Sequence, residues 1–270
     1  MRDHCARAGR PYRAVPVLLL TLCLLVTGCG AVSFRPGPAA DRVWEHDDDL
    51  GSVTVYRVDR RGDLHPAATG AALRMWQMFR RVLTPAYTAQ VISGYRVGDA
   101  PTSDTLAYVT ADTDDPGRWT LAANAAIADD RDLLLETFIH EYAHIRSLQP
   151  SQYDDAGTRC RTVDLSDGCL RPGAALTQFD EQFWSHYTNA PGPENDDADR
   201  ARRFYQRHED DFVSDYAATN VVEDYAESFA AFVLEDKPEG DSVIARKLRF
   251  FWDRRDDVSI RDRIRREFGL

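Results

Sequence analysis

His140, Glu141 and His144 stand in the order H-E-x-x-H, a pattern whose chemistry depends on helical geometry. At about 100° per residue, positions four apart lie on one face of a helix, so both imidazoles can reach a single metal ion. Glu141, one step round, can approach a water on that ion as general base. The neighbours Leu133, Leu134, Leu135, Phe138, Ile139, Ala143, Ile145 and Leu148 are apolar, so the helix is expected to be buried in a domain. A buried amphipathic helix carrying two histidines by chance has the same local pattern. What separates the two readings is whether the chain supplies the remaining parts of a site.

A catalytic zinc takes three protein ligands and keeps one position for water. A metzincin continues H-E-x-x-H with Gly three residues on and His six on, where this chain has Ser147 and Pro150. The third ligand must therefore lie elsewhere. Glu223 and Glu227 are four apart in a segment otherwise rich in Val221, Val222, Ala226, Phe229, Ala230, Phe232 and Val233. One carboxylate can bind the metal while the other accepts the N–H of a liganding histidine. Two solvent-facing acids would be ordinary in a chain with 44 acidic residues, but the apolar setting argues for burial. His186 and His208 are rival ligands. Each lies in an amphipathic or charged stretch, where a surface histidine is the default.

Together, IHEYAH at 139–144 and SDYAATNVVEDYAESFAAF at 214–232 resemble the gluzincin metallopeptidases, specifically the catalytic domain of the anthrax lethal factor group and its bacterial relatives. That group carries S-Y-G-x-T-N and then E-x-x-A-E-x-F after its H-E-x-x-H helix. The resemblance implies His140, His144 and Glu223 as zinc ligands, Glu141 as general base, and Glu227 as the acidic partner of a liganding histidine. It also implies Tyr216 as the active-site tyrosine, whose hydroxyl faces the oxyanion or leaving group. Asp215 stands where the group often has Ser and Ala217 where it has Gly; neither change removes a functional side chain. The likeness spans at most residues 130–235 and is silent on residues 42–125. The fold it implies is α+β and zincin-like: a small N-terminal sheet and an active-site helix, followed by a mainly helical C-terminal lobe.

The start of the chain carries a different signal. Arg2, Arg7, Arg10 and Arg13 precede an apolar run at 15–26, shorter than the ~20 residues of a membrane span but suited to a signal peptide. It ends in Val26-Thr27-Gly28-Cys29, which resembles the lipobox of bacterial lipoproteins, with cleavage before Cys29 and lipid on its sulfur. An ordinary secretory signal is the alternative. Cys5 and Cys23 leave with the leader, and Cys160 and Cys169 remain as an even pair, expected to form a disulfide in an exported protein. Residues 1–28 hold four Arg and one Asp of the 33 basic and 44 acidic residues, so their removal leaves 29 against 43, a net −14. That charge argues against nucleic acid as a partner and against adhesion of the folded domain to anionic lipid. The expected location is the extracytoplasmic side of the cell membrane, held by the lipid alone.

The expected organisation is a signal peptide at 1–28, a Pro/Gly/Ala-rich tether at 29–41, an α+β lobe at 42–125 and a helical zinc-binding lobe at 126–270, with an insertion at 150–195. Strands are expected at 52–58, 89–97, 105–110 and 119–123, the last as a sheet edge on which extended substrate pairs. Helices are expected at 69–83, from about Asp130 to Pro150, and at 178–187, 198–212, 221–234, 241–256 and 259–268. The expected function is zinc-dependent hydrolysis of peptide or protein substrates. The alternatives are a cell-surface binding or scaffold lipoprotein with a structural or vestigial zinc site, and a metal-dependent hydrolase of non-peptide cell-wall material.

Overall fold

The computed structural model describes residues 43–154 and 160–270; the leader, Cys29 and the tether lie outside the described residues. The alternating run at 52–58 forms β2 (Gly51–Val58), which pairs with β1 (Val43–Asp47), β3 (Leu64–His65) and β4 (Ile92–Gly98). β4 lies parallel to β6 (Trp119–Asn124), and β5 (Ala107–Ala111) is antiparallel to β6. The sheet order is β1-β2-β4-β6-β5, with β3 beside β2. The first four residues of β1 are exposed, so it lacks the alternation that reveals a half-buried strand.

Two expectations for this half are corrected. The strand expected from residue 89 begins only at Ile92, because α1 (Gly70–Leu83) is followed at once by α2 (Pro85–Val91). Pro85 suits a first helical turn, and the Thr84 hydroxyl accepts the Tyr87 N–H at 3.2 Å. The second correction concerns the sheet edge. β6 is internal, because the 112–118 turn folds β5 back over it, closed by Asp112 N–H to Arg118 O at 2.7 Å. β5 is the edge. Asn124 N–H donates to Leu106 O and Asp112 N–H to Arg118 O, and antiparallel ladders alternate. Thus Tyr108 and Thr110 bond to β6, while Ala107, Val109 and Ala111 turn their backbone groups outward.

The H-E-x-x-H helix is α3 (Arg131–Ser147), capped by the Asp130 carboxylate on Leu133 N–H at 3.1 Å. After it come β7 (Asp164–Leu165) and β8 (Gly168–Cys169), a small hairpin in which Cys160 and Cys169 form a disulfide with Cα atoms 5.3 Å apart. The remaining helices are α4 (Ala175–Phe183), α5 (Ala198–His208), α6 (Val221–Leu234), α7 (Val243–Trp252) and α8 (Arg255–Phe268). α4 starts and stops earlier than expected, and α5 gives way to a 3₁₀ turn at Glu209–Asp211. α8 begins four residues earlier than its apolar pattern suggested, with Asp256 and Asp257 in its first turn.

One apolar core runs from Tyr56 in β2 to Phe268 in α8. α1 and α3 share it through Phe79 and Phe138, whose rings meet edge-on at 5.3 Å. α3 and α6 meet through Tyr142 and Phe229, ring centroids 6.4 Å apart. A fully buried ring such as Phe138 contributes about 1.5–3 kcal/mol. Leu50, Val53, Tyr108 and Ala122 form a separate small cluster. The chain is therefore α+β, with α3 held between the sheet and the helices. No described helix is long and apolar enough to cross a membrane.

Candidate metal centre

α3 is buried almost continuously from Leu134 to Ile145, so its histidines have no solvent face to turn towards. His140 and Glu141 are fully buried and His144 is 1% exposed. α6 brings the opposing acids. Asn220 accepts the N–H groups of Val222 and Glu223 at 2.9 and 3.0 Å, which sets Glu223 in the first turn and Glu227 one turn on.

Three side-chain atoms converge between the helices. His140 Nε2 and His144 Nε2 are 2.8 Å apart, and they lie 3.1 and 3.4 Å from Glu223 Oε2. A tetrahedral centre with bonds of about 2.0–2.1 Å sets its ligand atoms about 3.3 Å apart, so this group has nearly that spacing. Glu223 Oε2 is buried at ionic distance from both rings, yet it accepts no aligned N–H. The two imidazole nitrogens face each other at hydrogen-bond distance, and one ion could take a ligand atom from each of the three residues. A donor set of two imidazoles and one carboxylate suits zinc. The residues fit the group.

Charge supports the same reading. Burial alone would raise the Glu223 carboxyl, but His144 and His140 overcome it and hold the group well below the usual carboxylate range. Burial would lower His140, but Glu223 and Glu227 outweigh it and raise that imidazole well above its ordinary value. Glu227 behaves like Glu223: burial pushes it up, and His140 and Ser214 bring it down. In the metal-free chain a proton on His140 thus offsets carboxylates that a divalent cation would otherwise balance.

Glu141 differs. Desolvation raises it to about 7, more than the two histidines pull it down. Neither carboxyl oxygen has a hydrogen-bond partner of good geometry; the outward N–H of Val109 on β5 approaches it and opposes the shift weakly. Glu227 accepts from His140 Nδ1 at 2.8 Å, so the acidic partner serves the first histidine of the motif. Tyr216 opens a 3₁₀ turn (Tyr216–Thr219) just before α6, its half-buried ring 6.0 Å from that of His140.

The rival histidines are elsewhere. His186 is exposed beside Tyr187, and His208 lies between Tyr187, Phe204 and Asp211. Cys160, Asp164 and Cys169 also come within reach of one point, but the two sulfurs are bonded to each other and offer no thiolate. Sequence reasoning did not single out Ser214, whose hydroxyl donates to Glu227 Oε2 at 2.5 Å, or Asn220. Asn220 had a readable signal: an Asn followed three residues later by Glu is the pattern of a helix start. Ser214 had none beyond its place two residues before Tyr216. Nor did the residue after Glu223 stand out. Asp224 is fully buried with Lys247 at 2.6 Å and the Trp184 indole N–H at 2.7 Å, which ties α6 to α7 and α4.

In comparisons with family models, curated proteins and solved structures, nothing matches this chain.

Proposed function

We propose that this chain is an exported, lipid-anchored zinc metallopeptidase of the gluzincin kind, with a zincin-like catalytic domain akin to that of the lethal factor group. The observation that carries the reading is the buried convergence of His140, His144 and Glu223, with the unpartnered carboxyl of Glu141 beside it. The order of parts is in keeping with it: a sheet whose β5 edge lies against the H-E-x-x-H helix, that helix, then helices bearing the third ligand.

A bound zinc ion supplies Lewis acidity, lowering the pKa of its water to about 7 and polarising a carbonyl. His140 and His144 would hold it through Nε2, and Glu223 through a carboxylate oxygen. Glu227 keeps the proton on Nδ1 of His140, so that Nε2 presents its lone pair inward. Glu141 takes the proton of the attacking water and passes it to the leaving amine. Burial raises that carboxyl in the metal-free chain, the direction that strengthens it as a base. Tyr216 donates its hydroxyl to the developing oxyanion, where one such donor is worth about 3 kcal/mol. An extended peptide would approach β5 at its part-exposed end, Thr110 and Ala111, since Ala107 and Val109 are buried and the Val109 N–H lies against Glu141.

The apolar leader and Cys29 support a lipid anchor on the extracytoplasmic side, and the gluzincin resemblance supports peptide or protein as the substrate class. Cleavage of an unbiased peptide library, with and without chelator, tests the activity. Chelator-sensitive cleavage is expected. Zinc-loaded protein that cleaves nothing would favour the binding or scaffold lipoprotein, and release of non-peptide cell-wall fragments would favour the other hydrolase.

A further inference from the structure

Ser214 belongs to neither helix of the metal centre, yet its one hydroxyl touches both the acid behind His140 and the turn that carries Tyr216. The Ser214 hydroxyl donates to Glu227 Oε2 at 2.5 Å and accepts the Ala217 N–H at 3.0 Å. Glu227 in turn accepts from His140 Nδ1 through its other oxygen. The hydrogens order themselves along this chain: Ala217 N–H to Ser214, Ser214 O–H to Glu227, and His140 Nδ1–H to Glu227. Ala217 follows Tyr216 directly, in the turn that Tyr216 opens.

We infer that Ser214 is a positioning residue that couples the orientation of His140 to the placement of Tyr216. The inference rests on the metallopeptidase reading. A carboxylate fixed at one oxygen by Ser214 has its other oxygen aimed at Nδ1, which holds the His140 ring and its tautomer. The same hydroxyl fills the orphan N–H of Ala217 and so sets the turn that orients the tyrosine. Burial is consistent with the role: Glu227 keeps only 12% of its side chain exposed, so a lost donor there is poorly replaced by water.

The test compares Ser214→Ala and Ser214→Thr in the full chain. Ser214→Ala should weaken zinc affinity about 10-fold in competition with a chromophoric chelator, the low end for such outer partners, and Ser214→Thr should restore most of it. In the zinc-free proteins, the His140 Nδ1–H proton resonance should persist in the parent and the Thr variant and shift or broaden in the Ala variant. In a Tyr216→Phe background, Ser214→Ala should cost less kcat than in the parent, because part of its effect passes through Tyr216. Unchanged zinc affinity and an unchanged His140 resonance in Ser214→Ala would overturn the inference, as would a folded Thr variant that restores nothing. If the Ala variant does not fold, Ser214→Cys, with similar volume and a weaker hydrogen bond, takes its place. A parent that neither binds zinc nor cleaves peptide would sink the metallopeptidase reading, while the zinc-free resonance would still judge Ser214.

Discussion

His140 lies between two carboxylates of one helix: its Nδ1 is 2.8 Å from Glu227 Oε1, and its Nε2 is 3.1 Å from Glu223 Oε2. Glu223 and Glu227 are one turn apart on α6, so a single imidazole spans that turn edge to edge. With Nδ1–H committed to Glu227, Nε2 is free to bind metal. Glu227→Gln keeps the shape but weakens that acceptor and removes its charge. Zinc affinity should fall about 10–100-fold, measured by chelator competition, with the far-UV circular dichroism unchanged.

Glu141→Gln should bind zinc and lose peptide hydrolysis, since the amide cannot accept the proton. It should also change the stability of the metal-free protein in a pH-dependent way. Burial raises the Glu141 carboxyl from 4.5 to about 7. A raised folded-state pKa means that its stabilising contribution is full below about pH 4.5 and is lost as pH rises through about 7. At pH 8 the parent should therefore be less stable than Glu141→Gln by up to about 3 kcal/mol. The gap should nearly close at pH 5. Urea unfolding of the chelator-treated proteins at the two pH values checks this; a gap that widened towards acid would contradict the burial of Glu141.

Tyr216→Phe removes a donor and leaves the ring that packs near His140. The loss should fall on kcat, by about 100-fold, with zinc content unchanged. Steady-state kinetics beside metal analysis of the same preparation decides it. A rise in KM alone would place the hydroxyl in ground-state binding instead.

Lys247→Met should destabilise strongly. Lys247 and Asp224 are both fully buried and 2.6 Å apart. Burial raises Asp224, and Lys247 is the largest influence opposing that rise. Removing the ammonium strands a carboxylate in the core, which costs about 3–5 kcal/mol. Because Asp224 follows Glu223 on α6, zinc affinity should fall as well. Chemical unfolding and chelator competition measure the two effects.

Local pattern made much of this chain legible. The i, i+4 pairs His140/His144 and Glu223/Glu227 follow from helix period alone, and α6 runs over the residues its apolar pattern indicated, Val221–Leu234. The α+β class was readable for the same reason, since strand alternation and helix period are properties of neighbouring residues. So was the Cys160–Cys169 pair, the even pair left once the leader is set aside. What depended on which element lies beside which was not readable. β5 rather than β6 is an edge because a turn folds one strand beside the other, and strand order is set by contacts distant in sequence. β1 escaped notice because its exposed residues carry no alternation, and α2 because a Thr-Pro start outweighed a strand-like composition. Only the packing of α3 on α6 pairs Glu227 with His140 and buries Glu141 without a partner. Ser214 joins the site for the same reason. Side-chain types and helix period thus determined which residues can do the chemistry; the approach of two helices separated by the 73 residues 148–220 decided the geometry in which they meet.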